Sequence, residues 1–143
     1  MDQASGCSEI GVLLVDDEAS FRMSLADMLR DDGHVVWDYG TPADIPRQGS
    51  EGTVTVVISD YDMPGMTGIA LADELHARHR EVPVVIVTAY RTRSIEAQVA
   101  GRPFMRLVDK PIDYEVLHAL LHEIGSAGPT RSPGSRRSCH RDC

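Results

Sequence analysis

A doubly wound α/β fold, a five-stranded parallel sheet with helices on both faces, is predicted by three observations. Five short apolar runs recur along the 143 residues. Segments of helical period or turn composition separate them. Within each run the apolar residues are nearly continuous, the pattern of strands buried on both faces and joined by crossover helices.

Ile10 to Val15 is the first run and ends in Asp16-Asp17-Glu18, a strand entering a polar loop. Phe21, Leu25, Met28 and Leu29 then recur at helical spacing, and Gly33 is the helix stop. Val35 to Tyr39 forms the second strand. Thr41-Pro42-Ala43-Asp44 opens a short helix, which Pro46 and Gly49 limit. Val54 to Ser59 is the third strand and ends at Asp60. Met63-Pro64-Gly65 turns the chain, and Ile69, Ala72, Leu75 and His76 mark the next helix. Pro83 precedes the fourth strand, Val84 to Val87, which ends at Thr88. Residues 94–100 are a short helix with Ile95 and Val99 on one face. Arg106 to Val108 is the fifth strand, closed by Asp109-Lys110-Pro111. Leu117, Leu120, Leu121 and Ile124 pattern the last helix.

These elements divide the chain into an extension at 1–9, one domain at 10–124 and a tail at 125–143. The tail is rich in Gly, Ser, Pro and Arg without apolar period, which reads as disorder or a linker. Its Cys139-His140-x-x-Cys143 holds soft metal ligands but reads as solvated tail.

The apolar fraction is 42% and the charged fraction 25%, ordinary for a globular protein. No apolar run is long enough to span a bilayer, and Met1-Asp2-Gln3-Ala4 shows no secretory signal or myristoylation site. A cytoplasmic protein with no membrane partner is the expectation. Net charge is −8. The tail is basic, so the body is more acidic still and repels nucleic acid. Cys7, Cys139 and Cys143 form no disulfide framework. Thirteen arginines accompany a single lysine, Lys110. Either arginine-rich coding left one lysine by chance, or that site needs a compact charge and not a planar fork.

Parallel strands bring the residues at their C-terminal ends to one edge, where doubly wound folds bind ligands. Asp16, Asp17, Asp60, Thr88 and Lys110 fall there. Three clustered carboxylates raise each other's pKa, and a hard divalent cation relieves that cost. With no Cys or His among them, the donors suit Mg²⁺, or Mn²⁺, rather than Zn²⁺. Mg²⁺ usually adds phosphate oxygens to one or two carboxylates, so a phosphoryl group is the expected guest. Thr88 and Lys110 are placed to meet its oxygens, and Asp60 is the candidate nucleophile. Each residue also has a duller role: helix caps for Asp16 and Asp17, a turn cap for Asp60, a strand-end hydroxyl for Thr88, a solvated turn for Lys110. Those roles leave the convergence on one edge unexplained.

Four segments carry a specific resemblance: Val12-Leu13-Leu14-Val15-Asp16-Asp17-Glu18; Ile58-Ser59-Asp60-Tyr61-Asp62-Met63-Pro64-Gly65-Met66-Thr67-Gly68; Val87-Thr88-Ala89; and Asp109-Lys110-Pro111. In this order and spacing, over residues 10–124, the chain resembles a receiver (CheY-like) domain of two-component response regulators. The resemblance implies the flavodoxin-like strand order 2-1-3-4-5. It implies that Asp60 accepts phosphate from a sensor histidine kinase or phosphotransfer protein. Asp17, Asp60 and the backbone carbonyl of Asp62 would bind Mg²⁺, with Asp16 acting through water. Thr88 and Lys110 would hold the phosphoryl oxygens. The output face would comprise the helix after Thr88, the fifth strand and the last helix, read by an unknown downstream effector or by a second copy in a dimer.

The sequence departs from the family at Leu107, where an aromatic switch residue often stands three before the lysine. Tyr90, two past Thr88, either takes over that role or only shields the site. Segment 101–106 also departs from the usual small-residue approach to the fifth strand.

Three rivals remain. Asp60-Tyr61-Asp62 resembles the nucleophile motif of haloacid-dehalogenase-type phosphatases, but that motif follows the first strand. A flavodoxin-like mononucleotide binder needs phosphate donors in its first loop, where Asp16-Asp17-Glu18 would repel. A receiver-like module that binds partners without phosphorylation would not need the complete acid, Thr and Lys set.

Overall fold

The computed structural model describes residues 10–45, 54–79 and 82–127. Five parallel strands form one sheet: β1 (Gly11–Val15), β2 (Val35–Tyr39), β3 (Val56–Asp60), β4 (Val84–Thr88) and β5 (Met105–Asp109), in the order β2-β1-β3-β4-β5. The helices are α1 (Ala19–Asp31), α2 (Gly68–His79), α3 (Arg93–Ala100) and α4 (Tyr114–Ala127). Among the described residues no helix is long and apolar enough to cross a membrane.

Two apolar layers cover the sheet, and the period of two along each strand divides the residues between them. Val12, Leu14, Val56, Ile58, Val85 and Val87 join Leu25 and Leu29 of α1 and Leu117, Leu121 and Ile124 of α4. Leu13, Val15, Val57, Val84, Ile86 and Met105 join Ile69, Leu71 and Leu75 of α2 and Ile95 and Val99 of α3. β1, β3 and β4 are buried throughout, which is why their sequences are continuously apolar.

Several local expectations change. Met28 lies on the exposed side of α1, where Ala26 completes the buried stripe instead. β3 begins at Val56, not Val54, and Asp60 and Thr88 are the last residues of their strands. The segment after Thr41 makes one 3₁₀ turn, Pro42–Asp44, with the Thr41 hydroxyl accepting from the Ala43 N–H. Pro46 and Gly49 lie outside the described residues. Gly125, assigned to the tail by composition, continues α4, which ends at Ala127. A Cβ on Gly125 would lie 3.2 Å from Ile10 Cγ2, so the missing side chain lets this turn pack closely on the start of β1. The 1–9 extension, the tail beyond Ala127 and all three cysteines lie outside the described residues.

Gly33 and Gly65 have φ of 94° and 86°, a conformation that costs other residues a Cβ clash. Gly33 stops α1. Gly65 closes the two-residue antiparallel ladder Asp62–Met63 with Met66–Thr67.

Candidate functional site

The chain reverses its winding between β1 and β3, and the crevice opens at their C-terminal ends. Asp16 and Asp17 follow β1. Asp60 closes β3, and Lys110 follows β5 and is joined to Pro111 by a cis peptide bond. Asp16, Asp17 and Asp60 offer carboxylate oxygens that all lie within 4.8 Å of one another. Asp16 and Asp60 are buried and Asp17 is exposed.

Lys110 Nζ lies 3.2 Å from Asp60 Oδ1, 3.4 Å from Asp16 Oδ2 and 3.9 Å from Glu18 Oε1. It also sits 4.4 Å above the centre of the Phe21 ring, a cation–π contact. One ammonium therefore faces three clustered carboxylates. Burial pushes the Asp60 carboxyl above its ordinary pKa, and the Asp16 charge adds to the shift against the pull of Lys110. Burial raises Asp16 too, opposed first by the hydrogen bond from the Glu18 N–H and then by Lys110. For Lys110 burial works against the charge, but Asp16 and Asp60 outweigh it and hold the ammonium above its ordinary value.

The surplus negative charge and the all-oxygen donors fit a hard divalent ion such as Mg²⁺. Asp62 stands in the short ladder with its side chain exposed, outside the three clustered carboxylates.

The helix-cap role expected of Asp16 and Asp17 is not formed, because Glu18 is the N-cap of α1 and no side chain caps it. Asp16 Oδ1 accepts from the Glu18 N–H at 2.9 Å, turning the chain into α1.

Thr88 is buried, and its hydroxyl is turned to its own loop. It donates to the Tyr90 carbonyl at 3.3 Å and accepts from the Tyr90 N–H at 3.2 Å. Tyr90 is 78% exposed. Leu107 is half-buried, pairs with Ile86 across the strands and packs on the layer that holds Ile95 and Val99. In segment 101–106, Phe104 stacks its ring on His76 at 3.8 Å, and buried Met105 starts β5. His118 lies 3.4 Å from Asp32, to which Tyr114 also donates a hydrogen bond at 2.7 Å.

Sequence reasoning passed over several supporting residues. Arg22 donates to the Asp16 carbonyl at 2.8 Å and pairs with Asp38 at 3.0 Å, while the Asp16 N–H reaches the Tyr39 carbonyl. Both sides of the Asp16 backbone are therefore held. A Cβ on Gly68 would overlap the Asp60 carbonyl, so only glycine lets α2 start this close to β3. The glycine's place at the end of the Met63–Gly68 segment was the available signal.

The sequence pattern of the response regulator receiver domain family matches residues 12–122. The chemotaxis protein CheY of Pseudomonas aeruginosa is 37% identical over 120 residues, covering 79% of this chain and 94% of that protein. The cyclic di-GMP phosphodiesterase response regulator RpfG of Xanthomonas campestris is 29% identical over 114 residues, covering 77% of this chain. This chain spans only 30% of that protein's length. Among solved structures, the response regulator TrrA of Thermotoga maritima in complex with Mg²⁺ and BeF has a TM-score of 0.68 at 22% identity. That match covers 80% of this chain and 98% of that one.

Proposed function

The chain belongs to the response regulator receiver domain family of two-component signalling, and on that premise we propose that it is a phosphoacceptor switch working at Asp60. Receiver domains are signalling domains and not turnover enzymes. The observation that carries the reading is the buried Asp60 carboxylate, clustered with Asp16 and Asp17 and held at 3.2 Å by the sole lysine.

The donor is the phosphohistidine of a sensor kinase or phosphotransfer protein. A carboxylate oxygen of Asp60 attacks the phosphorus, the P–N bond breaks, and the imidazole nitrogen keeps its electron pair. Asp16, Asp17, Asp60 and the Asp62 carbonyl would hold Mg²⁺, which when bound neutralises the acids and stabilises charge on the transferred oxygens. Lys110, already within reach of Asp60, stays beside those oxygens. Thr88 exchanges its bond to Tyr90 for one to the phosphoryl group. The new group carries about −1.5 to −2 charges. The change reaches a partner through α3, β5 and α4, with Leu107 and Tyr90 on that face and the buried Ile95 and Val99 packing α3 onto the sheet beneath it. Leu107 has no hydroxyl to exchange, so it contributes only packing. A downstream effector reads this surface in the cytoplasm, or a second copy meets it. The TrrA complex with Mg²⁺ and BeF supports the reading by the shared fold.

Intact mass after acetyl phosphate and Mg²⁺ tests it. One phosphoryl adduct is expected, absent in Asp60→Asn. No adduct in the unaltered protein, or an equal one in Asp60→Asn, overturns the assignment. Sustained hydrolysis of p-nitrophenyl phosphate would instead restore the phosphatase rival.

A further inference from the structure

The residue directly opposite Thr88 on the neighbouring strand is Asp109. Arg91, three residues beyond Thr88, reaches back to it with a two-pronged grip: Nε to Oδ1 at 3.0 Å and Nη2 to Oδ2 at 3.2 Å. The same guanidinium touches Glu96 of α3 at 3.4 Å through Nη1. The Lys110 N–H bonds the Thr88 carbonyl at 2.8 Å, so Asp109 is the residue just before the site lysine, on the rung that carries Thr88. The loop 89–91 is therefore fastened at both ends, by the Thr88 hydroxyl at one and by Arg91 at the other.

A hydroxyl has one proton. While Thr88 donates to the Tyr90 carbonyl it cannot donate to an oxygen in the crevice. The proton can swing about the Cβ–Oγ bond, but bringing the oxygen onto a phosphoryl group in the crevice also needs the 88–91 backbone to shift. That shift is harder while Arg91, the residue after Tyr90, is clamped to Asp109 of β5. We propose that the Arg91–Asp109 clamp is a latch that holds the Thr88 loop in its resting arrangement and so sets how readily the site closes on a phosphoryl group. The inference rests on the reading of Asp60 as phosphoacceptor. Arg91 and Asp109 touch no reacting atom and act as positioning residues.

Two states that differ in one exposed bidentate pair differ little in energy, since such pairs are screened. A ligand binds more tightly by the factor through which its competent state is enriched. Releasing the latch should therefore tighten binding of a phosphoryl mimic about two- to five-fold.

The sign of the effect separates the latch from simple charge. Removing the Arg91 charge should weaken binding of an anion if only Coulomb attraction matters, and should tighten it if Arg91 is a latch. The test is a beryllofluoride titration of the full chain in saturating Mg²⁺, followed by the NMR shifts of Thr88 and Lys110. Arg91→Gln is expected to bind beryllofluoride about two- to five-fold more tightly. Arg91→Lys, which keeps the charge and loses the fork, should fall between. The exchanged pair Arg91→Asp with Asp109→Arg should return toward the unaltered affinity. Mg²⁺ affinity measured alone should stay constant across the set. Unchanged or weaker beryllofluoride binding in both Arg91→Gln and Arg91→Lys overturns the latch. Absence of any beryllofluoride response in the unaltered protein overturns the phosphoacceptor reading itself, and the latch with it.

Discussion

Asp60 and Asp73 are both aspartates facing a cation, and the molecule holds them in opposite ways. Asp73, on α2, receives two bonds from Arg102, at 2.9 Å and 2.8 Å. The pair is on the surface, one charge against one, and the hydrogen bonds from Arg102 hold the Asp73 carboxyl below its ordinary pKa. Asp60 shares a single ammonium with Asp16, beside exposed Asp17, and burial leaves its carboxyl above its ordinary pKa. The clamp is satisfied, whereas the crevice keeps a surplus of negative charge. A site built only for stability would carry matched charges or none, because unmatched buried charge is costly. The surplus marks where an external positive charge is expected, and it ties function to a local loss of stability.

The comparison breaks first at Lys110. Lys110→Met leaves two buried carboxylates without a counter-charge and should destabilise the metal-free protein by about 2–3 kcal/mol at neutral pH. Much of this should return on adding Mg²⁺. Urea unfolding with and without Mg²⁺ measures it, and equal losses in both conditions would contradict the crevice as a charge-surplus site.

Asp60→Asn should act in the other direction. It removes like-charge repulsion while Asp16 still pairs with Lys110, so the metal-free protein should gain about 1–2 kcal/mol. Saturating Mg²⁺ should erase the advantage, because ligand binding then stabilises only the unaltered protein. A lowered melting temperature in Asp60→Asn without Mg²⁺ would refute the repulsion.

Acid sharpens the contrast, since the two regions have opposite linkage. Raised folded pKa values make the crevice penalty fully present above them, fading as pH falls toward the ordinary aspartate value near about 3.9. The lowered pKa of Asp73 makes its contribution fully present above about pH 3.9 and lost as pH falls through the folded value. The gain from Asp60→Asn should thus shrink on moderate acidification, before the cost of Asp73→Asn begins to disappear. Denaturation of both variants across that range tests the order.

The smallest effect is Asp73→Asn itself. With its side chain 45% exposed, the pair is screened, and the loss should stay below about 1 kcal/mol at neutral pH. A larger loss would show that Arg102 does more than hold a surface carboxylate.

The sheet was legible because its three central strands are buried on both faces and therefore write continuous apolar runs, while the edge strands β2 and β5 are only partly buried and keep shorter ones. The crevice was legible because strand ends are readable from those runs, which place Asp16, Asp60, Thr88 and Lys110 at one edge. What escaped depends on side-chain direction. Nothing in Thr88-Ala89-Tyr90-Arg91 tells that the hydroxyl turns to Tyr90, or that Arg91 reaches across to Asp109. Met28 and Ala26 lie on opposite sides of α1, and the larger apolar side chain of Met28 drew the predicted stripe toward the exposed side. Gly125 belongs to the tail by composition and serves instead as a close contact of α4 on Ile10.

The isolation of Lys110 among thirteen arginines also makes the protein unusual toward reagents. Its amine lies in the crevice with only 16% of the side chain exposed, and its acidic neighbours keep it protonated. Acylating dyes, biotin esters and amine-reactive surfaces need an unprotonated, reachable nitrogen. At neutral pH they should spare Lys110. Slow labelling of Lys110 would then report the crevice opening.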